Sequence, residues 1–94
     1  MDENMSVSLQ VPGFLRDVAN DARLATVTGS TVGECLGDFV VQFPAAKERL
    51  FDKDGNLLRY IDIFVNGKST FPEELARPVA SGDELSLLFL IAGG

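Results

Sequence analysis

The side chains that most often carry out chemistry in enzymes are scarce in this sequence. The chain of 94 residues contains no histidine and a single cysteine, Cys35. Without histidine no Ser-His-Asp or Cys-His arrangement can form, and no zinc site with the usual set of ligands can be assembled. Paired carboxylates remain, but a domain of this size offers little depth for the cleft that acid-base catalysis requires. We therefore expect neither intrinsic enzymatic activity nor a bound metal or cofactor.

The sequence ends in Gly93-Gly94 shortly after a strongly apolar segment, and this end is the remaining candidate for chemistry. At an average glycine frequency of about 7%, two terminal glycines arise by chance in roughly 0.5% of chains, so a short tail without function remains the alternative. A carboxylate that follows two glycines has no side chain near it and can be threaded through a narrow channel of another enzyme. An activating enzyme could use ATP to convert the Gly94 carboxylate to an acyl-adenylate. The adenylate would then accept sulfur to give a thiocarboxylate, or be passed to a lysine amine.

Alternation of apolar and polar residues predicts two strands in the first third of the chain. Residues 6–11 alternate with a period of two, which is typical of a half-buried strand. A mostly polar loop is expected over residues 14–21, followed by a second strand over residues 22–27. We expect the two strands to be antiparallel neighbours.

A capping motif marks the start of the main helix. Thr31 and Glu34 have the spacing of a capping box, in which the carboxylate bonds back to the amide of the capping residue itself. Five apolar residues at helical spacing follow and form one stripe: Val32, Leu36, Phe39, Val40 and Phe43. Pro44 marks the end of the helix. Because Gly33 and Gly37 each lower helix propensity by up to about 1 kcal/mol, packing must hold this helix.

The second half of the chain predicts a short helical turn and three further strands. The turn is expected over residues 45–51, and residues 59–65 alternate as a strand. Asn66-Gly67 supplies the two positive-φ residues of a type I′ hairpin, which sends residues 68–70 back as a short strand. The last strand is expected over residues 84–91.

The order of these elements predicts the fold class. Strand, strand, helix, strand, short strand and strand give an α+β domain spanning residues 1–94, with one main helix packed on a mixed sheet of four to five strands. In this order the last strand can lie beside the first, in the middle of the sheet.

These segments resemble the ubiquitin-like β-grasp family over almost the whole chain. Within it they are similar to the bacterial sulfur carriers: the small subunit of molybdopterin synthase, the thiamine-biosynthesis carrier and the thiocarboxylate carrier of a cysteine pathway. The likeness is strongest in SGDEL at 81–85 and IAGG at 91–94, then in YIDIFVNG at 60–67. Residues 7–12 and 48–52 are most similar to the cysteine-pathway carrier, whereas the molybdopterin subunit usually begins with a Phe-rich strand.

The resemblance implies that Gly94 carries first the adenylate and then the thiocarboxylate. It also implies that Ile91, Ala92 and Gly93 form a flexible tail that enters partner active sites. The implied partners are an ATP-using adenylyltransferase and sulfurtransferase of the ubiquitin-activating type, and a sulfur-accepting enzyme. The acceptor would be a PLP-dependent cysteine synthase, with a metalloprotease as a further partner, or the large subunit of molybdopterin synthase. Cysteine biosynthesis ranks ahead of molybdopterin, thiamine or other metabolite thiolation. Two other hypotheses remain: a protein modifier conjugated to lysines, and an interaction domain with an idle tail.

The pleat of the last strand predicts a docking surface, because successive side chains point to opposite faces of a sheet. We expect three residues to face the helix: Leu85, Leu87 and Phe89. Three others then point to the face that a single helix cannot cover: Phe64, Leu88 and Leu90. Exposed apolar residues beside the tail suggest a patch for a partner, unless loops cover them. Asp83 and Glu84 are candidates for steering a basic partner, although such charges more often form a solvated rim.

Charge and composition exclude other classes of partner. The net charge of −6 is repelled by phosphate backbones, so nucleic-acid binding is not expected. No run approaches the roughly 18 consecutive apolar residues of a membrane helix, and the acidic N-terminus differs from a secretory signal, so the expected location is the cytoplasm. Cys35 falls in the helical pattern beside Leu36 and is interpreted as a core residue rather than a sulfur-carrying thiol.

Overall fold

The computed structural model describes residues 6–89, which form one mixed sheet with a helix packed across one of its faces. The strands are β1 Ser6–Gln10, β2 Leu24–Thr28, β3 Ile61–Val65, β4 Lys68–Ser69 and β5 Glu84–Phe89. The helices are α1 Gly13–Arg16, α2 Val32–Gln42 and α3 Lys47–Leu50, with 3₁₀ turns at Pro44–Ala46 and Glu74–Ala76. The predicted α+β class, with a mixed sheet on one main helix, is confirmed.

Strand β5 lies in the middle of the sheet, whose order is β2-β1-β5-β3-β4. It runs parallel to β1, with Leu9 opposite Leu85, and antiparallel to β3, with Ile63 opposite Leu87. Strands β1 and β2 pair antiparallel, as do β3 and β4. The last strand therefore lies beside the first, as the sequence predicts, and is hydrogen-bonded on both sides.

The core lies between the sheet and α2. The three central strands contribute side chains that are at most 5% exposed: Val7, Leu9, Ile61, Ile63, Leu85 and Leu87. Helix α2 contributes four that are fully buried: Val32, Cys35, Leu36 and Phe39. Val40 and Phe43, the remaining residues of the predicted stripe, are only partly buried at the edge of this cluster. Because burying one large aliphatic side chain contributes about 1.5–3 kcal/mol, this layer holds α2 in place despite its glycines.

The cap of α2 differs in one respect from the predicted capping box. The amide of Glu34 donates to the Thr31 hydroxyl at 3.1 Å, as expected. The Glu34 carboxylate, however, accepts from the amide of Ser30 at 2.7 Å and from the Ser30 hydroxyl at 2.9 Å. The Thr31 amide was predicted to be its donor, so the prediction is wrong by one residue. The two hydrogen bonds from Ser30 lower the pKa of Glu34.

One predicted loop and two predicted strand starts are also wrong. The expected loop over 14–21 overlaps α1, which carries the fully buried Leu15. Strand β2 starts two residues late, because Asn20 and Asp21 have positive φ and form a turn before it. Strand β3 starts at Ile61, whose amide donates to the carbonyl of Leu58 and closes a turn.

The hairpin between β3 and β4 and the turn after α2 follow the sequence prediction. Asn66 and Gly67 have φ values of 52° and 84°, the positive pair that a type I′ turn requires. The expected helical turn over residues 45–51 is present as the Pro44–Ala46 3₁₀ turn and α3, and it buries Leu50 completely.

Candidate functional site

The end of β5 fixes the point from which the predicted tail begins. Leu85 is fully buried and Leu87 is 5% exposed, and the strand stays paired with β3 up to Phe89. The chain that follows Phe89 therefore starts at the centre of one end of the sheet. The predicted tail residues Ile91, Ala92, Gly93 and Gly94 lie outside the described residues, as does Leu90.

Three aromatic rings meet at this end of β5. The ring centroid of Phe89 lies 4.8 Å from that of Phe14 and 5.0 Å from that of Tyr60, which meets it edge to face. Phe89 was expected to face the helix with Leu85 and Leu87, but it is 39% exposed because it extends past the core and packs on these rings instead. This aromatic cluster was not predicted from the sequence. Phe14 and Phe89 are far apart in the chain, so no local pattern signals their contact.

A cleft of about 370 Å³ opens below the aromatic cluster. Its polar wall is built by Arg49, which donates to both carboxylate oxygens of Asp17 at 2.7 and 2.9 Å and to the carbonyl of Phe14 at 2.8 Å. The hydrogen bond from Arg49 lowers the pKa of Asp17, and the same pair raises the pKa of Arg49. Both side chains are exposed, so this pair contributes little to stability. It serves mainly to fix α1 against α3.

Leu88 and Phe64 lie on the face of the sheet opposite α2. Leu88 pairs with Asp62 and Phe64 with Ser86, so the two apolar side chains are diagonal neighbours across β3 and β5. Leu88 is 51% exposed, whereas Phe64 is only partly exposed. The described part of the predicted patch is thus apolar surface that the helix does not cover. Its role in binding a partner stays a prediction.

Asp83 and Glu84 lie at the opposite end of β5 from the tail. At about 3.3 Å per residue, Glu84 is roughly 17 Å from Phe89 along the strand. The Asp83 carboxylate accepts from the amide of Ala80 at 2.8 Å and from the side chain of Asn66 at 3.0 Å, and these bonds lower its pKa. The sequence offered these two acidic residues for steering, and the structure gives Asp83 a structural role in the turn before β5.

Cys35 is fully buried in α2, which confirms the prediction of a core cysteine. Burial raises the pKa of its thiol to about 11, and the carboxylates of Asp38, Glu34 and Asp83 add to this rise. The thiol is therefore protonated at neutral pH and closed to reagents, unlike the exposed, low-pKa cysteines that carry sulfur or react as nucleophiles.

Residues 6–89 also bear on two other kinds of site, a metal centre and a membrane span. Over this range, no group of three or more His, Cys, Asp or Glu side chains is placed to hold a metal ion. Of the helices in the described part of the chain, none has the length and apolar character needed to cross a membrane.

Sequence comparison identifies curated relatives over nearly the full length of the chain, although no protein-family model matches it. The chain is 31% identical over 93 residues to the sulfur carrier protein CysO of Mycobacterium tuberculosis, a match covering 96% of this chain and 100% of that protein. It is 36% identical over 84 residues to small archaeal modifier protein 1 of Haloferax volcanii, covering 78% of this chain and 93% of that protein.

Solved structures of sulfur carrier proteins superpose on this chain. The crystal structure of Mycobacterium tuberculosis CysO superposes with a TM-score of 0.82 at 28% identity, covering 90% of this chain and 99% of that one. A chain in the crystal structure of the BexX/CysO complex of Amycolatopsis orientalis superposes with a TM-score of 0.83 at 30% identity, covering 94% and 99%. On the whole-length match to CysO and the shared fold, the chain belongs to the ubiquitin-like β-grasp family of sulfur carrier proteins.

Proposed function

We propose that this protein carries sulfur as a thiocarboxylate on the carboxyl group of Gly94. The observation that carries the proposal is the position of β5, a central strand that pairs with β1 as far as Ser86 and with β3 as far as Phe89, five residues before Gly94. Five residues reach at most about 18 Å when extended. A rigid domain followed by so short a segment, with no side chain on its last two residues, suits delivery of the chain end into a partner active site.

The chemistry in this proposal belongs to partner enzymes. An adenylyltransferase of the ubiquitin-activating type joins a Gly94 carboxylate oxygen to the α-phosphorus of ATP, and pyrophosphate leaves. Hydrosulfide then attacks the carbonyl carbon, AMP leaves, a proton is lost, and the product is a thiocarboxylate. In this proposal the protein is a cosubstrate, and the catalytic side chains and ATP are held by the partner enzymes. The buried Cys35 thiol takes no part, because its raised pKa keeps it protonated.

Cysteine biosynthesis is the pathway that we propose for the sulfur. The whole-length match to CysO supports it, as does the likeness of residues 7–12 and 48–52 to the cysteine-pathway carrier. The acceptor would be a PLP-dependent cysteine synthase in the cytoplasm, and a metalloprotease would act on the product. Molybdopterin synthesis or thiolation of another metabolite is the alternative within this function.

The partner enzymes are proposed to dock on the sheet face that α2 leaves open. Leu88 and Phe64 supply the apolar part of this surface. Leu90, predicted from the sequence to belong to the same patch, lies outside the described residues. Asp83 and Glu84 would act at longer range, by attracting a basic partner to the far end of β5.

Mass spectrometry tests the proposal directly. Co-expression with an activating enzyme, or incubation with that enzyme, ATP and a sulfide source, should add the mass difference between one sulfur and one oxygen atom. Because oxidation of Met1 or Met5 adds nearly the same mass, the change must be located in the C-terminal peptide by fragmentation. Deletion of Gly94 should abolish it, and the matched variant Cys35→Ser should retain it. Sulfur found on Cys35 rather than on Gly94 would refute the proposal.

A second candidate function is protein modification through an amide bond between Gly94 and target lysines. The match to small archaeal modifier protein 1 supports it. Its test is a ladder of conjugates in lysate, detected through an N-terminal epitope, that disappears when Gly94 is deleted. If thiocarboxylate forms and no ladder is seen, the hypothesis of conjugation to lysines is refuted.

A further inference from the structure

Strand β2 forms one edge of the sheet, and alternate residues direct their backbone groups away from it. The carbonyl of Arg23 accepts from the amide of Val11, so the odd-numbered residues around it point toward β1. In an antiparallel pair the intervening residues then point outward. These are Leu24, Thr26 and Thr28. An edge of this kind is a template on which another strand can pair.

Two side chains of α2 close the central part of this edge. The side-chain amide of Gln42 donates to the carbonyl of Thr26 at 2.9 Å and to the carboxylate of Asp38 at 3.1 Å. The same carboxylate oxygen accepts from the amide of Thr28 at 3.1 Å. We refer to Asp38 and Gln42 as the edge clasp. The clasp occupies backbone groups that a neighbouring strand would need.

We propose that the β2 edge is a pairing site for the β2 edge of a second copy of this chain, and that the edge clasp holds it closed. This inference does not depend on the proposed function. It follows from two hydrogen bonds that link a helix to an edge strand, and from a third that joins the two helix side chains, none of which the core or the tail requires.

The sequence of β2 is self-complementary for such pairing. In an antiparallel arrangement about a two-fold axis at Thr26, that residue meets its own copy and Leu24 meets Thr28, with each pair exchanging both backbone hydrogen bonds. The outward-facing side chains are uncharged and of types that suit strands. Nothing in β2 itself opposes the pairing.

The clasp opposes it in two ways. It leaves the outward carbonyl of Thr26 and amide of Thr28 already bonded, so a second strand gains less by pairing. It also places the Asp38 carboxylate at the edge, where two copies would bring two negative charges together about the axis. Charged side chains at edge strands are a common means by which proteins prevent this kind of association.

Sedimentation over a concentration series tests the proposal with the double variant Asp38→Ala/Gln42→Ala. The wild type should keep the mass of one chain, 10.1 kDa, whereas the variant should rise toward a two-fold greater mass and fall again on dilution. Adding Thr26→Pro should restore the single-chain mass, because proline removes an outward N–H that β1 does not use. The control Glu48→Ala, which removes an exposed acid on α3, should stay at one chain.

Hydrogen exchange of the wild-type protein provides a second test that needs no variant to fold. The amide of Thr28 should exchange several-fold more slowly than those of Leu24 and Thr26, which have no clasp acceptor among the described residues. A folded double variant that stays at one chain at every concentration would overturn the proposal. So would a dimer that persists with Thr26→Pro, or equal exchange of the three amides.

Discussion

Replacing Leu85 by alanine should destabilise the protein far more than the same replacement at Leu88, three residues along the same strand. Leu85 is fully buried between α2 and the sheet, opposite Leu9 on β1 and Val65 on β3. Truncation of such a leucine costs about 2–5 kcal/mol through lost burial and the cavity left behind. Leu88 is 51% exposed on the open face, so its truncation should cost about 0.5–1 kcal/mol.

These costs are large relative to the total. A domain of this length has a free energy of unfolding of about 5–15 kcal/mol. In urea denaturation followed by circular dichroism, Leu85→Ala should lower the urea concentration at the unfolding midpoint by roughly 1–3 M. Leu88→Ala should lower it by only a small fraction of that shift. Equal losses would refute the assignment of the two faces of β5. Thiocarboxylate formation gives a second comparison: Leu88→Ala, although stable, should slow it if the open face docks the activating enzyme.

The remaining predictions concern the helix, the thiol and the turn before β5. Gly37→Ala should raise the free energy of unfolding by about 0.5–1 kcal/mol, since a Cβ there meets open space. Gly33→Ala should raise it less in the same urea assay, because its Cβ would lie 3.1 Å from the carbonyl oxygen of Leu75. Maleimide should label native Cys35 at least about 100-fold more slowly than the urea-unfolded chain, given its buried thiol and a pKa near 11; equal rates would contradict its burial. Hydrogen bonds lower the pKa of Asp83, so its ionised carboxylate should stabilise the folded protein fully at neutral pH and progressively less as the pH falls below the ordinary aspartate pKa. The melting temperatures of wild type and Asp83→Asn should therefore differ at pH 7 and converge in acid.

Most of the architecture could be predicted from local patterns. Alternation over residues 6–11 predicted the first strand, a last strand was predicted over residues 84–91, and the order of elements placed the last strand beside the first. The Asn66-Gly67 hairpin followed from the need for two positive φ angles, which few residue pairs supply. Boundaries were less well predicted, because alternation continues into the turns before Leu24 and Ile61, and the chain leaves the sheet there through turn hydrogen bonds.

For the candidate site, the sequence predicted the chemistry but not the surrounding structure. Its chemistry was predicted from residue types alone, since a chain with no histidine and one cysteine leaves the Gly93-Gly94 end as the plausible place for it. Its surroundings could not be predicted. Phe89 meets Phe14 and Tyr60 because the sheet brings β5 beside the end of β1 and the start of β3.

Local sequence patterns were enough to predict the strands, the main helix, their order and the two faces of β5 as far as Leu88, because periodicity, caps and turn residues act between neighbours in the chain. Contacts between groups distant in the chain come from tertiary packing. It sets Asp38 and Gln42 of α2 against the β2 edge, where they bond residues 10 and 16 positions away in the chain. Such contacts depend on how α2 packs across the sheet, and that packing is set by the whole core rather than by any one segment.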